Sequence, residues 1–458
     1  MSIPLPFAHP AFRGSFGVAR RDVTPPLGIY SRSWGAATRD AATSIHRPIT
    51  LTVLTMQGEN DASPFALIAG DFGGWRTITT IELLHTAVAQ AGISEGRYVI
   101  AMSHTHAGCG TSLELIGKPG GEFIEGYLRC LGEAIRDAIA EALRTAQPGL
   151  LETAIGKCGL ATNRDLPDPA GHRLLVGWNP NQSADETLMI GRVTDAGGEP
   201  LATVINYACH PTILAWENSA LSPDYVGAMR EVVESATGVP SVFLQGASGE
   251  LAPRHQYVGD LEVADRAGRC LGHAVLSVLE GMLPPAHQLV YHGALESGAA
   301  LAVWKTEKRP SISGEVVARS VVVELEIKES YPTAKEILKE HEACTDHVLR
   351  ERLFRKLSTR KGLGEGSAHR NVHELWKLGD IFFVSVPNEA YSALQTALRE
   401  VAGSSPVFVS TIANSCYGYL CPAEFYAQEH YATWHTPYAP GCFEKTLGAL
   451  KVEIARLG

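Results

Sequence analysis

Two histidine-containing segments each follow an apolar run that is typical of a buried strand. SHTHAG (103–108) places His104 and His106 directly after RYVIAM, and NYACHP (206–211) places His210 after LATVI. Neutral imidazole is one of the commonest zinc ligands. A single histidine of this kind is equally compatible with a hydrogen-bonded core residue, and histidines two apart on a strand point to opposite faces. If the strand has ended before them, both can reach one site, and two such segments together favour metal binding.

Three further segments carry chemically useful side chains with weaker signals. VPNEAY (386–391) places Glu389 after a strand-like run, where a first-turn glutamate against the helix dipole is the alternative. LQGASGE (244–250) departs from the G-x-S-x-G nucleophile pattern because Glu250 stands at the last glycine position. Ser248 is therefore not expected to be a nucleophile. The tyrosine-rich segment 414–434 is by itself compatible with ordinary core tyrosines.

The elements that position these side chains have an alternating pattern. Strand-like runs at 49–56, 64–72, 97–106, 201–210 and 241–250 alternate with helical patterns at 77–93, 122–146 and near 224–237. This alternation predicts an α/β fold with a mixed, partly parallel β-sheet core flanked by helices. Functional side chains of such sheets gather at the carboxyl ends of strands, where Asp71, His104 and His210 fall. We expect Asp71 to orient a ligand histidine.

The second half of the chain continues the same pattern. Strand-like runs recur at 287–328 and after 380 and 406, around a charged helical segment at about 333–360. No long polar linker separates these runs. We therefore expect residues 1–458 to form a single catalytic domain.

Composition and charge exclude several functional classes. The chain has 458 residues, 45% of them hydrophobic, and a formal net charge of −10, which argues against disorder and against general nucleic-acid binding. No apolar window is long enough for a transmembrane segment. The N-terminus lacks the features of a signal peptide, and nine scattered cysteines contain no C-x-x-C pair, so a cytoplasmic location is expected. No nucleotide-binding motif occurs. The oligomeric state stays open, and a homo-oligomer is compatible with the sequence.

A series of motifs resembles, in chain order, the catalytic domain of the neutral/alkaline, non-lysosomal ceramidase family. The similar segments are GVARRDVTPP (17–26), SHTHAG, ATNRD (161–165), NYACHPT, LQGASGELAPR (244–254), GDIFFVSVPNEAY (379–391) and the tyrosine-rich segment. Together they span nearly the whole chain. The sequence is similar to a divergent, short, bacterial-type member, without the immunoglobulin-like domain that follows the catalytic domain in that family.

The resemblance implies a zinc hydrolase that cleaves a C–N amide bond with metal-activated water. Carried over motif by motif, it implies the zinc ligands His104, His210, Glu389 and Tyr419 and the catalytic residues His106, Arg164 and Tyr431. Zinc lowers the pKa of water in such sites, and the catalytic side chains would share the charge that develops on the carbonyl oxygen. The substrate implied is a small-molecule or lipid-like N-acyl amide.

Departures from the family pattern concern the surroundings of these residues. Asn388 replaces the glycine of P-G-E, Ala107 replaces a serine, and Glu250 and Ala252 replace an aspartate and a serine. Retained metal residues in changed surroundings favour a substrate other than ceramide. Two alternatives stay open, a zinc-dependent esterase or lactonase on the same site and a non-catalytic binding protein on a hydrolase scaffold.

Overall fold

Two β-sheets packed face to face form the centre of the computed structural model, which describes residues 5–458. The strands are, in chain order, β1 (Phe7–Ala8), β2 (Ala11–Asp22), β3 (Ser44–Ile45), β4 (Thr50–Gly58), β5 (Phe65–Gly70), β6 (Tyr98–Met102), β7 (Gln147–Lys157), β8 (Ala161–Asn163), β9 (Asp165–Pro167), β10 (Leu174–Val176), β11 (Thr187–Asp195), β12 (Pro200–Tyr207), β13 (Ala220–Leu221), β14 (Ser241–Gln245), β15 (Leu251–Pro253), β16 (His287–Glu296), β17 (Ala300–Lys308), β18 (Val316–Glu326), β19 (Ala368–Leu378), β20 (Ile381–Val386), β21 (Glu389–Ala390), β22 (Val407–Thr411) and β23 (Tyr419–Leu420).

The α-helices cover the outer faces of the sheets. They are α1 (Ile78–Gln90), α2 (Ile124–Thr145), α3 (Tyr225–Thr237), α4 (Leu261–Glu280), α5 (Ala334–Ala343), α6 (His347–Leu363), α7 (Ala393–Ala402), α8 (Tyr431–His435) and α9 (Cys442–Leu457). Short 3-10 turns occur at Leu113–Leu115, Gly121–Phe123 and Ala423–Ala427.

The sheet topology is mixed, as the sequence predicts. Among residues 5–458, the larger sheet has eight strands in the order β14-β12-β11-β7-β2-β4-β5-β6, and the smaller has four in the order β18-β19-β20-β22. Most neighbouring strands are antiparallel, but the pairs β5/β6, β12/β14 and β20/β22 are parallel. The α/β prediction with a partly parallel core is therefore confirmed, and the stacking of a second sheet is an addition to it.

Alternating apolar side chains give the larger sheet two buried faces. Along β4, Leu54 and Met56 face the smaller sheet, where Trp376 and Phe383 join the same cluster. Val53 points the other way, towards α1 and α2. Helices α3 and α4 cover the remainder of that outer face, and α7 and α9 cover the smaller sheet. The layers are therefore helix, sheet, sheet and helix.

The charged helical segment predicted at about 333–360 forms the two helices α5 and α6. A capping box between Thr333 and Glu336 begins α5, and the Asp346 side chain accepts hydrogen bonds from the first backbone amides of α6. Residues of α6 line a cavity together with His104 and His106. The helix therefore covers one side of the histidine-containing loops.

Candidate metal centre and active site

The carboxyl ends of the three parallel strand pairs meet at one edge of the stacked sheets. His104 and His106 follow β6, His210 follows β12, and Glu389 follows β20. Tyr419 lies beyond β22, and β23 pairs with β21 so that Glu389 and Tyr419 are direct neighbours. The fold thus brings together side chains from opposite ends of the sequence.

The loop after β6 directs both of its histidines to the same side. Strand β6 ends at Met102, and His104 has a left-handed backbone conformation with a φ of 68°. Such a conformation costs free energy in residues other than glycine and is often found at functional sites. The His104 amide donates to the carbonyl of Phe72 (2.8 Å), and the two imidazole rings lie 4.9 Å apart.

The hydrogen bonds of His104 and His210 fix which ring nitrogen carries the proton. Nδ1 of His104 donates to the carbonyl of Gly73, and Nδ1 of His210 donates to the carbonyl of Ser248 at 2.6 Å. A carbonyl oxygen only accepts, so each Nδ1 is protonated and each Nε2 carries a lone pair when the ring is neutral. This is the second hydrogen bond that metal-ligating histidines typically make.

Both Nε2 lone pairs face one carboxylate. Nε2 of His104 lies 3.5 Å and Nε2 of His210 lies 3.4 Å from the same Oε2 of Glu389. All three side chains are buried, and Nε2 of His104 has no hydrogen-bond partner among residues 5–458. An arrangement of electron-pair donors around one point, shielded from water, fits a bound cation.

The titration properties of these groups favour a metal ion over protons in that position. Burial, followed by the charge of Arg164, lowers the pKa of His210 to about 3. Burial alone would raise the pKa of Glu389, but the neighbouring His104 and His210 hold it well below the usual value. At neutral pH the site therefore presents an ionised carboxylate and a neutral His210 imidazole.

Arg164 connects Tyr419 to this group. It is 4% exposed, and its Nη2 donates to the Tyr419 hydroxyl (2.9 Å) and to the carbonyl of Gly249 (2.7 Å), while lying 3.3 Å from Nε2 of His210. A guanidinium nitrogen carries only donors, so its approach to Nε2 agrees with a lone pair there. Burial raises the pKa of Tyr419 well above its usual value, and Arg164 opposes that effect.

His106 and Tyr431 lie at the border of the group. The His106 ring is 6.2 Å from that of His210, and its Nε2 is buried without a hydrogen-bond partner in the described part of the chain. One nitrogen each of His104, His106 and His210 lie within 4.8 Å of one another, so a three-histidine donor set is a second geometric option. The half-buried Tyr431 ring lies 5.8 Å from that of Tyr419.

Asp71 has a different partner from the one the sequence suggests. Its carboxylate accepts from both terminal nitrogens of Arg230 on α3 (3.0 and 2.7 Å) and from the amide and hydroxyl of Thr50 (3.0 Å each). The histidines are oriented by the carbonyls of Gly73 and Ser248 instead. The expectation that Asp71 orients a ligand histidine is therefore wrong, because the strand-end carboxylate binds α3 to the sheet.

Glu250 and Ser248 support the loop after β14. Glu250 accepts from the backbone amide and hydroxyl of Ser392, and burial raises its pKa to about 7. The hydroxyl of Ser248 accepts from Gln245 at 2.7 Å, while its carbonyl holds His210. Both residues therefore act on the loop that carries the carbonyls of the site.

Two arginines near the candidate metal ligands were not identified from the sequence. Nη2 of Arg76 lies 3.6 Å from Oε1 of Glu389, and Arg355 on α6 lines the same cavity as His104 and His106. The available signal for Arg76 was its place in GDFGGWR, just after β5, where the chain leaves the sheet edge as it does before His104. Arg355 follows no strand and had no such signal.

Among residues 5–458, no helix is long and apolar enough to cross a membrane. No protein-family model matches the sequence, and no curated protein sequence matches it significantly.

The chain is similar to solved ceramidase structures. The neutral ceramidase of Pseudomonas aeruginosa superimposes with a TM-score of 0.70 at 17% sequence identity, over 98% of this chain and 74% of that one. The structure of a ceramidase complexed with C2 superimposes with a TM-score of 0.68, at the same identity and coverage. The chain therefore has the neutral ceramidase fold, which confirms the fold implied by its motifs.

Proposed function

We propose that this protein is a zinc-dependent amidohydrolase with His104, His210, Glu389 and Tyr419 as metal ligands. The observation that carries the proposal is the convergence of two buried Nε2 lone pairs on the Glu389 carboxylate, with Tyr419 beside it. Two imidazoles and oxygen donors suit zinc, and a catalytic site keeps an open position. The shared ceramidase fold supports amide hydrolysis as the reaction class.

The proposed reaction is hydrolysis of an amide. The oxygen of a water molecule bonds to the carbonyl carbon, the C–N bond breaks, and the two water protons pass to the leaving nitrogen, giving a carboxylate and an ammonium group. When bound, zinc supplies Lewis acidity and a lowered pKa for water.

The side chains around the ligands have separate roles in this proposal. Arg164 directs buried N–H donors at the group, so it stabilises negative charge on Tyr419 and on the substrate oxygen. The unpartnered Nε2 of His106 is available to accept the proton from water or to hold it for the leaving nitrogen. Tyr431, beside Tyr419, borders the position of the substrate.

The first experiment measures metal content of the purified protein by plasma mass spectrometry. We expect about one zinc per chain, lost on His210→Ala and strongly reduced on Glu389→Gln. His273→Ala is the matched control because His273 is exposed on α4, away from the group. Zinc retained at full occupancy in both His210→Ala and Glu389→Gln would contradict the ligand assignment. Matched amides and esters of one acyl group then separate amidohydrolase from esterase activity.

A further inference from the structure

A cavity of about 130 Å³ adjoins the candidate metal group on the side of α6. Its lining includes His104, His106, Arg76 and Arg355. Arg32 is the third arginine in its wall, against a single lining glutamate, Glu351. The wall therefore carries an excess of positive charge, although the chain as a whole has a formal net charge of −10.

Arg76 has few partners of its own. Its Nη2 contacts Oε1 of Glu389 at 3.6 Å and the sulfur of Cys416 at 3.7 Å, and the side chain is 27% exposed, towards the cavity. Sulfur is a weak acceptor, and a Glu389 carboxylate engaged by a metal ion has less charge to offer. The fork of the guanidinium is therefore available for a planar anion.

The other two arginines are engaged to different degrees. Arg32 donates through Nη1 to Asp40, through Nη2 to the carbonyl of Gly35 and through Nε to the carbonyl of Trp34, so all three of its nitrogens are engaged. Arg355 donates to the carbonyl of Ser33 and contacts Glu351 at 3.3 Å through Nε. Arg355 thus keeps donor capacity at the cavity, and we regard it as the second partner of an anion held by Arg76.

The positive charge of the arginines also affects a nearby histidine, His435. Nε2 of His435 is buried without a partner within residues 5–458, and the pKa of this histidine is held well below the usual value by burial and then by Arg355 and Arg352. A protonated imidazole is thus disfavoured beside these guanidinium groups.

His106 also borders a second cavity of about 310 Å³. Its wall holds Trp34 and Trp216 together with polar and charged side chains, among them Arg39 and Glu217. The Trp34 ring lies 5.2 Å from that of His106 and 6.1 Å from that of Trp216, and its other edge contacts Tyr257. Flat aromatic walls of this kind suit a short acyl or aryl group.

We propose that the substrate is a small amide with a carboxylate on one side, of the N-acyl amino acid class. Its carboxylate would bind Arg76 and Arg355, its apolar group would lie against Trp34 and Trp216, and its amide would lie between them at the metal group. Both cavities are at or below the lower end of the roughly 300–1,000 Å³ found for drug-sized ligands, which is small for a long acyl chain. This inference rests on the proposed function.

The test uses two zinc-binding probes that differ only in charge. One is succinic monohydroxamate, which ends in a carboxylate, and the other is the same molecule ending in a carboxamide. Isothermal titration calorimetry on the zinc-loaded protein measures both affinities, so no knowledge of the natural substrate is needed. We expect the carboxylate probe to bind at least tenfold more tightly than the carboxamide probe.

Variants assign the preference to the cavity. Arg76→Gln and Arg355→Gln should each reduce the preference at least fivefold, while Arg355→Lys should retain part of it. Arg350→Gln is the matched control, because Arg350 lies on the same helix but is exposed. Zinc content and circular dichroism of each variant establish that it is loaded and folded.

The possible outcomes separate this inference from the proposed function. Equal affinity of both probes for the wild type, or a preference that survives both glutamine variants, would overturn the anion site while leaving the metal site intact. If Arg76→Gln weakens both probes equally and Arg355→Gln weakens neither, Arg76 acts only on Glu389, and the inference fails. Binding of neither probe to zinc-loaded protein would contradict the proposed function, and the inference with it.

Discussion

Replacing Arg230 by methionine should strongly destabilise the protein without removing the metal. Arg230 makes two hydrogen bonds to Asp71, whose side chain is completely buried, and the only other donors to that carboxylate among residues 5–458 come from Thr50. In Arg230→Met the carboxylate keeps the Thr50 bonds but loses its counter-ion. Breaking a buried ion pair from one side costs about 3–5 kcal/mol, because an uncompensated charge stays buried.

The assay compares urea unfolding of the wild type, Arg230→Met, Asp71→Asn and the double variant. We expect the double variant to be more stable than the sum of the two single effects predicts, because removing both partners leaves no unpaired charge. Zinc content of the folded variants should stay near that of the wild type, since no ligand histidine contacts Asp71. A loss below about 1 kcal/mol, or a loss of zinc at unchanged stability, would refute the assignment of Asp71 as a structural anchor of α3.

Three further predictions concern the site itself. His104→Ala should abolish zinc binding, whereas His106→Ala should retain zinc and lose hydrolysis; zinc loss in both at equal severity would favour the three-histidine donor set. Removal of the metal with a chelator should abolish hydrolysis and lower the unfolding midpoint, and added zinc should restore both, whereas a chelator-insensitive activity would contradict a metal mechanism. Burial raises the pKa of Glu250 in the folded state to about 7 from its ordinary 4.5. The unfolded state therefore ionises first, and the free energy of unfolding falls as pH rises between these values. The free energy of unfolding of Glu250→Gln, relative to that of the wild type, should therefore be about 1–3 kcal/mol higher at pH 8 than at pH 4. Parallel pH profiles of stability for the variant and the wild type would contradict this.

Five of the eight strands of the larger sheet, β4, β5, β6, β12 and β14, were predictable because burial on both faces makes them continuous apolar runs, whereas β2, β7 and β11 were not predicted. The run at 64–72 becomes β5, and the run at 201–210 becomes β12 followed by the His210 loop. Local patterning does not say which strands become neighbours, and β2 pairs with both β4 and β7 across long stretches of chain. The stacking of the smaller sheet, through Trp376 and Phe383, depends on such long-range contacts and had no local signal.

The expectation that functional side chains gather at the carboxyl ends of strands identified part of the site correctly and was wrong for another part. His104 and His210 were recognisable because a polar side chain after a buried strand reaches the sheet edge. The same rule pointed to Asp71, but a carboxylate at that edge can also face a helix, and Arg230 arrives from α3. The prediction that Glu389 and Tyr419 lie together came only from the family resemblance. Strands β21 and β23 have two residues each, and their parallel pairing has no recognisable sequence pattern.

The charge of the cavity beside the metal group shows why substrate class was hidden in the sequence. The segment HVLRERLFRK of α6 has the composition of a solvated, charged helix, and nothing in its spacing separates Arg350 from Arg355. The fold does separate them, since Arg350 faces solvent and Arg355 faces His106 through the loop at Ser33. Metal ligands are constrained by the ion, and so they persist as recognisable motifs. Residues that contact only the substrate carry no such constraint, and a helix that covers the site can change its charge while the ligands stay the same. The proposed metal site therefore leaves the substrate undetermined, and we propose Arg76 and Arg355 as the residues that select it.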